Sequence, residues 1–164
     1  SQRDRLSAHS ACAPRSVAPD VTLQRSSRCG STRPGRKAHG AVISASVTRV
    51  PVIDGHTVVA SVHLESRPAA DAVESAMRAF RGRPQELKLP TAPDPPLLVR
   101  PEDTRPQPRL DADLGHGMTV SVGRVRTCPV LTHKFVALGH NTIRGAAGAS
   151  ILNAELMKAE GLLQ

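Results

Sequence analysis

Apolar positions along the chain follow two different periods. From Ala41 to Val50, β-branched residues are interspersed with Ser and Ala, and the run TVVASVHLE over Thr57–Glu65 has the same character. Each reads as a β-strand. Asp54-Gly55 between them is a tight-turn dipeptide, so a hairpin-like bend is expected to bring the two strands together. The period then changes. Ala69, Val73, Ala76 and Phe80 are spaced as one face of a helix over Ala69–Phe80, closed by Arg81-Gly82. Eight of the 14 prolines fall between Pro84 and Pro108. Neither a helix interior nor a central strand tolerates that density, and the stretch reads as one extended loop. Alternation returns over Met118–Arg126, where Gly123 is expected to mark a bulge or a close backbone approach. Lys134–Leu138 reads as a further short strand. Thr142–Leu163 carries Leu152, Leu156, Ala159 and Leu163 on one stripe and Gly145, Ala149 and Ala154 on the other side. That is the pattern of a helix packed closely on two faces.

Residues 1–40 follow neither period and mix Ser, Arg, Ala and Pro, the composition of a disordered basic tail. One domain is expected over residues 41–164. Strands mixed with helices in this order give an α+β fold, with a mixed or antiparallel sheet, helices on one face and a C-terminal helix. The net charge of +8 sharpens the division. Residues 1–40 hold eight bases against Asp4 and Asp20, leaving fourteen bases against twelve acids in the rest. A basic recognition domain for nucleic acid is not supported, and Phe80 and Phe135 are the only aromatic residues to stack on bases. No apolar run approaches the ~20 residues of a membrane span. No secretory signal is visible at the start, and the three cysteines form no even framework, so a reducing, cytoplasmic setting is expected. His63, His116 and His133 have no partners at metal spacing, and no metal is assigned. The chain starts on Ser, and it reads as a fragment or a processed chain.

Two side chains stand out for chemistry. Arg49 precedes Val-Pro, which stiffens the chain beyond a strand, and a guanidinium there can grip a carboxylate with two parallel hydrogen bonds. His56 follows the Asp54-Gly55 turn, where an accessible imidazole suits proton transfer near neutrality. On spacing alone, a surface arginine and a turn histidine without a role are the commoner readings. Asn141, ahead of the last helix, has the residue type of a helix cap.

Five collinear segments carry a resemblance. They are Thr48-Arg-Val-Pro-Val-Ile-Asp-Gly-His-Thr57, Gln85-Glu-Leu-Lys-Leu-Pro-Thr-Ala-Pro93, Arg105-Pro-Gln-Pro-Arg-Leu-Asp111, Val122-Gly-Arg-Val-Arg126 and Lys134–Glu155, which contains Gly139-His-Asn-Thr-Ile-Arg-Gly-Ala-Ala-Gly148. Together they resemble the C-terminal half of aspartate-semialdehyde dehydrogenase of the archaeal and fungal type, over residues 41–161. The resemblance implies a dimerisation domain like the C-terminal domain of glyceraldehyde-phosphate dehydrogenase. It implies a homodimer or tetramer formed through that domain, and NADP held largely by an N-terminal domain. The implied reaction converts a small molecule, L-aspartate 4-semialdehyde, with phosphate to 4-aspartyl phosphate. Carried over residue by residue, Arg49 holds the substrate carboxylate, His56 is the catalytic acid–base, and the helix start at Asn141 faces the nicotinamide. The Gly145-Ala-Ala-Gly148 run would give that ring room. The family's Gly-rich cofactor loop and its Asn-Cys-Ser/Thr nucleophile have no counterpart in the sequence, and Cys29 lacks the strand and helix that would flank a nucleophile. Taken alone, the chain is expected to be inactive. Two other readings remain: a non-catalytic dimerisation module, and an enzyme like the archaeal malonyl-CoA reductases, whose product is also a carboxylate.

Overall fold

The computed structural model describes residues 42–47 and 50–163. The expected tail over 1–40 lies outside them, as do Thr48 and Arg49. Five strands, β1 (Val42–Val47), β2 (His56–His63), β3 (Leu97–Arg100), β4 (Val120–Thr127) and β5 (His133–Gly139), form one sheet in the order β1-β2-β5-β4-β3. All neighbours are antiparallel except β3 and β4, which run parallel, so the sheet is mixed. Four helices accompany it: α1 (Ala70–Ala79), α2 (Arg83–Glu86), α3 (Pro108–Asp111) and α4 (Gly148–Ala159). A π-helical turn over Ile143–Ala147 leads into α4.

Strand alternation divides the sheet into two faces. One carries Ala60, Val62, Leu97, Val120, Val122 and Phe135, and α1 covers it with Met77 and Phe80. The spacing of Val73, Met77 and Phe80 puts them on one stripe, which is why the amphipathic segment folds down there. On the opposite face the connection between β3 and β4 crosses β4. A Cβ built at Gly123 would stand 2.5 Å from the Arg105 carbonyl oxygen, so only glycine lets the two backbones meet. The register slips between Gly123 and Arg126, with Arg124 at φ 56°. Gly123 therefore marks both the close approach and the start of a bulge.

That crossing connection is pinned by Asp111, which is fully buried. Its carboxylate accepts from Arg105 Nε at 2.8 Å and Nη2 at 2.5 Å, Arg100 Nε at 3.2 Å and the Gln107 backbone N–H at 2.7 Å. Burial alone would push this carboxyl up, but the Arg105 fork, the Gln107 N–H and the charges of Arg105 and Arg100 hold it below the usual carboxylate range.

Three local expectations differ from the structure. The proline-rich stretch contains β3, because Pro95, Pro96 and Pro101 bracket Leu97–Arg100 without entering it. It also contains α3, because Pro108 stands in the first turn, where no N–H is needed. The last helix ends at Ala159 and begins as a π turn, with Leu163 exposed beyond it. Leu152 and Leu156 do pack inward, on Leu89 and Met118. On the rest of α4, Ile151 and Met157 are exposed. No helix among the described residues is long and apolar enough to cross a membrane.

Candidate functional site

The start of β2 and the end of β5 meet at one end of the sheet, where His56 pairs in register with Gly139. His56 is exposed there. The residues just before it are held from two sides. Gly55 adopts φ +105°, a conformation that favours glycine, and a Cβ on it would come within 3.0 Å of the Pro108 Cβ on α3. Its N–H donates to Asn141 Oδ1 at 3.2 Å, joining positions 86 residues apart in the chain. The Asp54-Gly55 dipeptide thus makes the expected bend, seated on α3 and tied to the residue after β5 and His140.

The neighbouring His140 is buried. Its Nδ1 accepts the backbone N–H groups of Thr142 at 3.1 Å and Ile143 at 3.2 Å. In the neutral ring the proton then sits on Nε2, which faces Asp113 Oδ1 at 3.7 Å and Asp54 Oδ1 at 3.9 Å. A Cβ at Gly117 would lie 3.2 Å from His140 Cδ2, so the loop before β4 closes over the ring. The side chain that takes the first backbone donors ahead of the π turn is therefore that of His140, not Asn141. Capping was a natural reading for an asparagine, but a histidine side chain one position earlier takes the two backbone donors, and the Asn141 carboxamide turns to Gly55 instead.

His56 and Asn141 are thus brought together through Gly55. Arg49, the third residue singled out in the sequence, lies outside the described residues. His140, Asp54 and Asp113 join the site without a signal that sequence periodicity can carry, since their proximity depends on the β2–β5 register. Gly145–Ala147 is exposed, an open surface of small residues beside Asn141. Gly148 is different. A Cβ there would collide with the Met118 thioether, so this glycine serves internal packing and not the approach of an outside group. Cys128 follows β4 at the other end of the sheet, beyond the Thr127–His133 pair, too remote to act with His56. The backbone N–H groups of Leu131 and Val130 hold its thiol below the ordinary cysteine range.

Chemically, the site offers an accessible imidazole on a fixed turn. It also offers two outward carboxylates and the N–H donors of the Asn141 carboxamide, which the Gly55 contact does not use.

Comparison with known proteins gives this arrangement relatives. The family model described as semialdehyde dehydrogenase, dimerisation domain, matches residues 20–144. Aspartate-semialdehyde dehydrogenase of Methanothermobacter thermautotrophicus is 52% identical over 117 residues, which are 70% of this chain and 34% of that protein. The enzyme of Archaeoglobus fulgidus is 48% identical over 131 residues, 79% of this chain and 37% of that one. A malonyl CoA reductase (NADP) of Metallosphaera sedula is 42% identical over 123 residues, covering 74% and 34%. Among solved structures, aspartate semialdehyde dehydrogenase with NADP from Candida albicans superposes with a TM-score of 0.64 at 44% identity, covering 70% of this chain and 33% of that one. The chain spans about a third of the length of the curated relatives it matches.

Proposed function

Since the chain belongs to the semialdehyde dehydrogenase family through its dimerisation domain, we infer that it supplies the substrate-binding and dimerising part of an aspartate-semialdehyde dehydrogenase. The observation that carries this reading is His56, an exposed imidazole at the start of β2 on a turn held by Asn141 and α3. In that role His56 takes the proton of an attacking thiol, and returns a proton to the sulfur when phosphate displaces it from the thioester. Arg49, seven residues earlier, grips the substrate carboxylate with its fork, which sets the aldehyde carbon in the line of attack. The Asn141 donors and the exposed Gly145–Ala147 surface would hold the amide-bearing ring of a nicotinamide cofactor. NADP supplies hydride acceptance there. The dimerisation domain is taken as residues 41–164.

Pairing of two copies is assigned to this domain by its family. The edge strand β1, with Val42 and Val47 left 50% and 40% exposed, is consistent with a covering partner. Aspartate semialdehyde is preferred over malonyl-CoA as substrate because the aspartate-semialdehyde dehydrogenases match at higher identity. A purely non-catalytic module gives no reason for an imidazole to stand exposed on a doubly anchored turn.

The test is a chimera in which residues 42–163 replace the corresponding segment of the Methanothermobacter enzyme. NADP reduction with aspartate semialdehyde and phosphate is expected, and His56→Ala in the chimera is expected to remove it. A chimera that forms dimers and turns over equally well with His56→Ala defeats the reading.

A further inference from the structure

His56 is exposed, yet Gly55 before it is held by the segment that follows the neighbouring strand β5 and by α3, and Asp54 approaches the same segment. Gly55 is clamped between a hydrogen bond to Asn141 and the Pro108–Ala112 surface of α3. Asp54 lies 3.9 Å from His140 Nε2, and the His140 ring is itself oriented by the two N–H groups it accepts from Thr142 and Ile143. Of the His140-Asn141 dipeptide, it is Asn141 that makes a hydrogen bond to the turn that carries His56. An exposed ring on a loose turn samples many positions, and an acid–base group works only within hydrogen-bond reach of the atom it serves.

We propose that Asn141 is a positioning residue for His56: its carboxamide oxygen holds the Gly55 N–H and thereby sets where the imidazole stands. This rests on the reading of His56 given above, and it assigns Asn141 a task that does not involve the cofactor. The two tasks use different atoms. Positioning needs only the oxygen as acceptor, whereas a cofactor amide would also draw on the carboxamide donors. Asn141→Asp keeps the acceptor and removes those donors; Asn141→Ala removes both.

Two measurements test the assignment. In the 164-residue chain, amide hydrogen exchange at Gly55, read by NMR, is expected to speed up at least about five-fold in Asn141→Ala and to stay near wild type in Asn141→Asp. In the chimera, Asn141→Ala is expected to lower kcat about ten-fold or more, and Asn141→Asp, which keeps the acceptor, is expected to restore most of that kcat, whatever loss of the carboxamide donors does to the KM for NADP in both variants. Unchanged Gly55 exchange in Asn141→Ala overturns the proposal. So does an intact kcat in Asn141→Ala with only the KM for NADP raised, which would leave the cofactor contact as the sole task of Asn141. If His56→Ala leaves turnover intact, the functional reading of His56 fails, while the Gly55 exchange data still decide whether Asn141 holds the turn.

Discussion

Asp111→Asn tests whether the crossing connection beneath the candidate site is held electrostatically. The native carboxylate gathers four donors at 2.5–3.2 Å while fully buried. Asparagine keeps the shape but replaces one oxygen by an NH2 group, which then faces guanidinium N–H donors. Two arginines lose their counter-charge together. Breaking a buried pair from one side costs about 3–5 kcal/mol, because the remaining charge stays desolvated. The Arg100 and Arg105 side chains are 22% and 16% exposed, so water relieves part of this. We expect a loss of about 3 kcal/mol, the lower end of that range. For a domain of this size that is a fall of roughly 10 °C in the unfolding midpoint. The assay is thermal and urea unfolding of the 164-residue chain between pH 7 and pH 3. The sign of the pH effect follows from the depressed folded-state carboxyl. Its contribution is complete above the ordinary carboxylate range and is lost as pH falls through the lower value held in the fold. Wild type should therefore lose stability with acid more steeply than Asp111→Asn. A variant within about 1 kcal/mol of wild type at pH 7, or an identical acid slope, refutes the reasoning.

Four other outcomes are expected. Gly55→Ala should cost about 1–3 kcal/mol through its positive φ and the Pro108 contact, seen as a lower unfolding midpoint, and should lower kcat in the chimera. His56→Ala in the chimera should lower kcat roughly 10²–10⁴-fold, and recovery of part of the rate with added imidazole would fit loss of a proton carrier. Arg49→Lys should raise KM for the semialdehyde and lower kcat, since the charge survives and the fork does not; unchanged constants would place the carboxylate site elsewhere. Gly148→Ala should destabilise by about 1–3 kcal/mol by overpacking against Met118, and pairing it with Met118→Ala should recover part of the loss in urea unfolding.

Much of this was legible in the sequence because it is local. The β-branched runs, the Asp54-Gly55 bend and the spacing of Val73 and Phe80 declare themselves within a dozen residues. Proline density over the whole stretch hides β3, because the strand occupies a four-residue window without one. The site divides in the same way. His56 could be singled out from the turn beside it. His140 could not, because its role depends on backbone donors that exist only once the π turn forms. Asn141 showed its residue type but not its partner, since Gly55 lies 86 positions away.

That separation bears on how the protein is made. β1 and β2 are close in sequence and can pair as soon as both leave the ribosome. β2 then waits for β5, and Gly55 for Asn141, on the order of ten seconds at ordinary rates of synthesis. Until then one edge of β2 is an unpaired strand, the kind of surface that recruits unintended partners. The imidazole is therefore made well before the residues that set it in place. A chain cut just before Gly139 keeps His56 in a plausible hairpin while losing every contact from His140 and Asn141 that aims it.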